Sequence, residues 1–204
     1  MTHQTKHPQL RRAFTLVELL VVIAIIAVLM GIAFPLYNSM TEGAKKTSTQ
    51  AACTKLVLAC DDFYEKYQYL PMALNNNAQD NEETTNNRFM PALLGLRIAA
   101  DENPNFLSFF TFQQAEGKGD GAYNGLVRSD NRAELLGPWK NKEKTDRHYR
   151  VILNYDNDNQ LNVPNELGSE VLFDRRAIAY HLGKDGKASG EYNDDNVYSW
   201  NKSD

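Results

Sequence analysis

Cysteine is scarce in this chain of 204 residues: there are two, Cys53 and Cys60. If both lie on one helix, their Cα atoms stand about 10 Å apart, beyond the roughly 7 Å that a disulfide can span. They read as small apolar residues on a packed face, with pairing between subunits as the other reading. An excess of positive charge is also absent. Lys plus Arg total 22 against 26 Asp plus Glu, a formal net charge of −4, so no nucleic-acid footprint is indicated. Catalytic motifs are missing too: there is no Gly-x-Ser-x-Gly, no phosphate loop and no His-Glu-x-x-His. His3 and His7 fall in the polar N-terminal tail, while His148 and His181 are isolated and read as strand residues. Asp156-x-Asp158 lacks the glycine and terminal glutamate of an EF-hand and reads as a hairpin turn. No catalytic residue emerges, and the chain reads as a non-enzyme.

What the chain does have is a long apolar run. Arg11-Arg12-Ala13 is followed by a near-continuous apolar stretch from Phe14 to Phe34, then Pro35. As a helix it would rise about 31 Å, close to the hydrocarbon thickness of a bilayer. Its apolar residues surround the helix, so lipid or protein must cover it on all sides. Lys6, Arg11 and Arg12 precede it, and the positive-inside rule keeps that end in the cytoplasm. Glu18 interrupts the run. A carboxylate near the end of an apolar span costs about 1–3 kcal/mol according to depth. Either it sits at headgroup level, or it pairs with a cation of a neighbouring subunit, most simply a free N-terminal amine. A conventional secretory signal is the rival reading, with Gly31-Ile32-Ala33 as a small-x-small cleavage site.

Beyond the run the pattern changes. Pro35 lacks an N–H and disfavours helix at Phe34, so a kink or local loosening is expected there. Ala52, Leu56, Cys60, Phe63 and Tyr67 recur at helical spacing, and Pro71 closes that helix. Residues 75–87, rich in Asn, Asp, Glu and Thr, read as an exposed loop. Phe89–Ala100 reads as a short helix, and Phe106–Phe112 as a strand or buried loop. Tyr149–Tyr155 alternates like a strand, and Gln160–Val163 is expected to pair back on it as a hairpin. Val171–Phe173 and Arg176–Leu182 are further strands. Trp139 and Trp200 read as core or strand-cap residues. The expected class is α+β: a long N-terminal helix, its first half in the membrane, packed on a small C-terminal antiparallel sheet.

The C-terminal stretch from Leu182 to Trp200 holds glycines at 183, 186 and 190 and several carboxylates. Calcium takes six to eight oxygens in a flexible geometry, which such a loop suits. Composition alone favours a solvated acidic loop over a calcium site.

The N-terminal pattern of basic tail, Ala13, Phe14 and Thr15-Leu16-Val17-Glu18-Leu19-Leu20, with Pro35 beyond, resembles the type IV pilin-like superfamily. The resemblance implies a leader, 1–13, cut between Ala13 and Phe14 by a prepilin peptidase, and methylation of the new Phe14 amine. Glu18 then becomes the fifth mature residue, the filament-assembly glutamate, and Pro35 the twenty-second. The family usually has glycine where this chain has Ala13. Leu182-Gly183-Lys184-Asp185-Gly186, the paired Asp194-Asp195 and Trp200 resemble the calcium loop that ends the major pseudopilins of type II secretion. Gly137-Pro138-Trp139 resembles their Pro-Trp-Gly segment, with Lys140 for the glycine. This implies calcium held by Asp185, Asp194, Asp195 and the Leu182 carbonyl. The implied organisation is a membrane and filament-core helix over 14–35 and an amphipathic helix over 36–70. A variable insertion over 71–136 and a β-sheet head over 137–204 follow. The implied protein is a single-pass inner-membrane subunit with a periplasmic head. It forms a filament with its own copies and minor pseudopilins, driven by an inner-membrane platform and an ATPase. A type IV pilus subunit is the alternative. Many of those close the head with a C-terminal disulfide, whereas both cysteines here fall on the helix. A secreted enzyme or binding protein with a conventional signal is the alternative of a different class.

Overall fold

The computed structural model describes residues 15–75, 81–129, 132–140, 147–156, 158–188 and 195–200. The chain divides into two units, residues 1–43 and 44–204. The class is α+β. The longest element is helix α1, Leu16–Tyr67, which is assigned as helix without interruption through position 35.

Within the first unit the helix buries none of its large apolar side chains; Leu16, Val17, Ile23, Val28 and Phe34 are all exposed. It is long and apolar enough to cross a membrane. The all-round apolar surface follows directly from a sequence with no polar stripe.

In the second unit, α1 turns a stripe of Ala52, Cys53, Leu56, Ala59, Cys60 and Phe63 inward, each at most 2 % exposed. Four of these six are alanine or cysteine, so the face α1 turns to its packing partner is made mostly of small side chains. That partner is a four-stranded antiparallel sheet in the order β1-β4-β7-β8, formed by Asn81–Thr84, Arg150–Leu153, Ala177–His181 and Val197–Tyr198. The period of two sorts its side chains between faces. Val151, Leu153, Ala177 and Ala179 join the α1 stripe in one core. Ile152, Ile178 and Tyr180 point the other way, into a second core with Leu161, Val163, Leu167 and Trp200. The sheet is therefore buried on both faces at β4 and β7. Arg176 ties the start of β7 to α1: its guanidinium lies 4.4 Å from the Tyr64 ring and 3.9 Å from Asp61 Oδ1.

Hairpin β2–β3 pairs Gly125–Ser129 with Arg132–Leu136, and β5–β6 pairs Gln160–Asn162 with Val171–Phe173. The short helix α2 is Met90–Leu94. Gly95 ends it in the left-handed region at φ 64°, where an added Cβ would collide with the carbonyl of Phe106.

Two sequence expectations are corrected. Gln160–Asn162 does not pair back on the strand before it. Val151, Ile152 and Leu153 are all buried, so β4 needs a strand on each side and takes β1 and β7, while β5 pairs with β6. Nor are residues 75–87 all loop: Asn81–Thr84 is edge strand β1. Its charge is used across the strands, where Arg150 Nη1 lies 2.7 Å from Glu82 Oε1 and the Tyr180 hydroxyl donates to Glu82 Oε2 at 2.6 Å. Phe106–Phe112 is assigned no strand; Phe110 is buried while Phe106 is half-exposed.

Candidate functional site

The helix start is where the sequence concentrates its chemistry. Thr15 is the N-cap: its carbonyl accepts the first helical bond, from Leu19 N, at 3.2 Å. Glu18 N–H donates to Thr15 Oγ1 at 3.2 Å. In return Glu18 Oε2 accepts from both the Thr15 N–H and the Thr15 hydroxyl, each at 2.8 Å. This is a capping box. The reciprocal bonds satisfy N–H groups that every helix start leaves open. They also place a negative charge at the positive end of the helix dipole. Among the described residues only Oε2 takes part in the box. Thr15-x-x-Glu18 is the sequence signal of this cap, a Ser/Thr-x-x-Glu pattern just ahead of the apolar run. Ala13 and Phe14 lie outside the described residues.

The second candidate is the C-terminal loop. Asp195 Oδ2 accepts from the amides of Lys184 and Asp185, at 2.6 and 3.0 Å. Asp185 Oδ1 accepts from the amide of Lys187 at 2.9 Å. Among the described residues, the Asp185 and Asp195 carboxylates are thus held by the loop's own N–H groups, which offset part of their charge. Gly183, at φ 65°, lets the chain pass close to Asp195; a Cβ there would collide with the Asp195 carbonyl. Leu182 is buried beside this turn. Asp185 Oδ2 and Asp195 Oδ1 stand outside these amide bonds and are the oxygens a cation would have to engage. They supply only part of the six to eight oxygens that calcium takes. Asp194 lies outside the described residues. Among the described residues no group of three or more His, Cys, Asp or Glu is placed to hold a metal.

The loop is anchored from behind by His181, which is fully buried. Its Nδ1 accepts from Gly183 N–H at 3.0 Å, and Nε2 lies 3.3 Å from the carbonyl of Arg147. A carbonyl can only accept, so the proton sits on Nε2 and the ring is neutral. Burial, with the charges of His148 and Arg150, pushes His181 down to about 4, against the raising effect of the Arg147 carbonyl. The ring occupies the space a side chain at Gly137 would fill. Trp139 and Tyr149 enclose it at 5.3 and 4.9 Å between ring centroids. His181 is a strand residue, as its sequence implies, but its link to the loop depends on Gly137 and Arg147, both distant in the chain, and is not legible locally.

The cysteines are both buried and unbridged, and burial raises both thiols far above their ordinary value.

Residues 9–34 match the family model of the prokaryotic N-terminal methylation motif, which supports the type IV pilin-like family. That motif implies processing by a prepilin peptidase and assembly into a filament, and it points to a structural subunit rather than an enzyme. With the apolar helix it is consistent with a membrane-anchored, single-pass protein. No curated protein and no solved structure matches the chain.

Proposed function

We propose that this chain is a pseudopilin: a structural subunit of a short periplasmic filament that drives type II protein secretion. The observation that carries the reading is Glu18, held in a capping box at the head of an exposed apolar helix inside the matched motif. Cleavage after Ala13 would free the Phe14 amine two residues before helix α1 begins at Leu16. In the membrane the box keeps the carboxylate bonded. On assembly, Oε1 accepts from the methylated Phe14 amine of the neighbouring copy. Two charges that are costly in an apolar surround then meet, and the helix does not have to unwind.

The head contributes packing. Calcium, bound by Asp185, Asp195 and Asp194 with the Leu182 carbonyl, would supply a fixed positive charge that stiffens the final loop. Chelation should then lower the melting temperature of the full chain; an unchanged melting curve removes the ion from the account. Minor pseudopilins, an assembly platform and an ATPase complete the proposed machinery. What supports secretion over a pilus is the C-terminal loop and the placement of both cysteines on α1, inside the core, where they cannot close a C-terminal disulfide.

Deletion of the gene tests the assignment. A pseudopilin's loss abolishes export of secreted proteins and leaves surface fibres intact. Loss of surface fibres with export unaffected would make the chain a pilus subunit.

A further inference from the structure

Phe106 is at odds with its backbone. Its φ is 53°, in the left-handed region that a bulky aromatic residue seldom enters. Its neighbours hold it there. The Phe106 amide donates to the Asn103 carbonyl at 3.0 Å, and the buried Asn103 side chain clamps Leu107 by both its amide and its carbonyl. Gly95 passes so close that an added Cβ would collide with the Phe106 carbonyl. Asn103 and Gly95 thus set this conformation, and glycine or asparagine at position 106 would adopt it with less strain. Burial of the ring could offset the strain, but Phe106 is 50 % exposed and Leu107 beside it 39 %. Backbone strain of this kind concentrates at functional sites. The fold has no use for an aromatic ring here, which leaves the ring for a contact outside the chain.

Charge and continuity with the assembly helix select the partner. No Asp, Glu, Lys or Arg occurs from Asn103 to Ala115, in a chain that is 24 % charged. The matching surface must be uncharged as well, because a charged group set against this strip would lose its water and gain no partner. Helix α1 offers such a surface. No charge occurs from Leu19 to Thr41, and within that stretch Leu36, Tyr37 and Met40 are exposed. In storage, lipid covers the bilayer-length run from Phe14 to Phe34. Leu36, Tyr37 and Met40 lie past that run and need another cover. They continue the helix that carries the matched motif, and that motif implies assembly into a filament, so copies present this surface to one another. We propose that Phe106 and Leu107 pack on Leu36, Tyr37 and Met40 of a second copy of this chain. The proposal rests on the filament reading, which sets copies side by side.

The test uses the full chain in cells that carry a prepilin peptidase and the assembly machinery, with p-benzoylphenylalanine at position 106. Irradiation of sheared filaments should give a product of twice the chain's mass on a denaturing gel. Mass spectrometry of that product should find position 106 joined to residues 36–40. Cross-links only within one copy, only to lipid or another protein, only elsewhere on a second copy, or to nothing would overturn the proposal. Phe106→Asn provides the second measurement, since asparagine tolerates the left-handed region and removes the ring. The melting temperature of the unassembled chain should be unchanged or higher, while the yield of filaments falls about tenfold, as for a central interface aromatic. A lower melting temperature with undiminished filament yield would assign the ring to the fold and overturn the proposal. The same filaments report on Phe14 methylation. Filaments of methylated chain without a cross-link from position 106 to residues 36–40 sink this inference alone; chain neither methylated nor assembled sinks the filament reading with it.

Discussion

At the scale of single residues, the head depends on a few polar groups that are wholly satisfied. Asn103 is fully buried and uses all its bonding capacity. Its Oδ1 accepts from the Tyr67 hydroxyl at 2.6 Å and the Leu107 amide at 3.1 Å, and its Nδ2 donates to the Ala92 and Leu107 carbonyls at 2.7 Å each. Asn103→Ala should cost about 3 kcal/mol, because it strands several buried partners at once; a melting temperature within a degree of the parent would contradict this. His181 carries a pH dependence. Its folded value is depressed from 6.5 to about 4, so the unfolded chain binds the proton more readily within that window. The stability it confers is complete above pH 6.5 and is lost as pH falls towards 4, by at most roughly 3 kcal/mol. Protonation puts a second N–H opposite the Gly183 amide, so the C-terminal loop should loosen first. Thermal melts and hydrogen exchange at Gly183 across this range check both statements. A flat profile with Gly183 protection retained at pH 4 would refute them.

At the scale of elements, the helix was legible and the sheet only in part. Stripe residues Ala52, Leu56, Cys60, Phe63 and Tyr67 are local in sequence; the first four are buried as their spacing implies and Tyr67 is half-buried. Strand β1 is Asn-Glu-Glu-Thr, with no apolar alternation to betray it. It is a strand because Arg150 and Tyr180, distant in the chain, hold Glu82. The same non-local pairing explains why β5 was assigned the wrong neighbour. Leu161 alone of its three residues is buried, and nothing in that pattern names its partner. The capping box separates two roles of Glu18. Glu18→Gln preserves an N3 side chain able to cap the helix but removes the charge. It should insert normally into the membrane and fail to enter filaments, as judged by shearing and sedimentation. Filaments at the parent's level would mean that Glu18 serves the cap alone.

At the scale of the whole molecule, function was most legible where chemistry is local. Phe14, Glu18 and Pro35 fall in register along a single run, and the matched motif, residues 9–34, covers Phe14 and Glu18 and stops just before Pro35. The head offers no comparable signature. Residues 81–136 are built into it, with β1 in the main sheet and Phe89, Met90 and Leu93 in its core. Its cavities and polar cores arise from tertiary packing that a linear pattern does not encode. The central claim is that the chain is stored in a membrane and released into a filament through a processed N-terminus. Mass spectrometry of the N-terminal peptide, from chain isolated from membranes of cells that carry a prepilin peptidase, tests it most directly. The account requires a mature chain that starts at Phe14 with a methylated amine. A chain that starts at Phe34, or one that keeps residues 1–13, would contradict it.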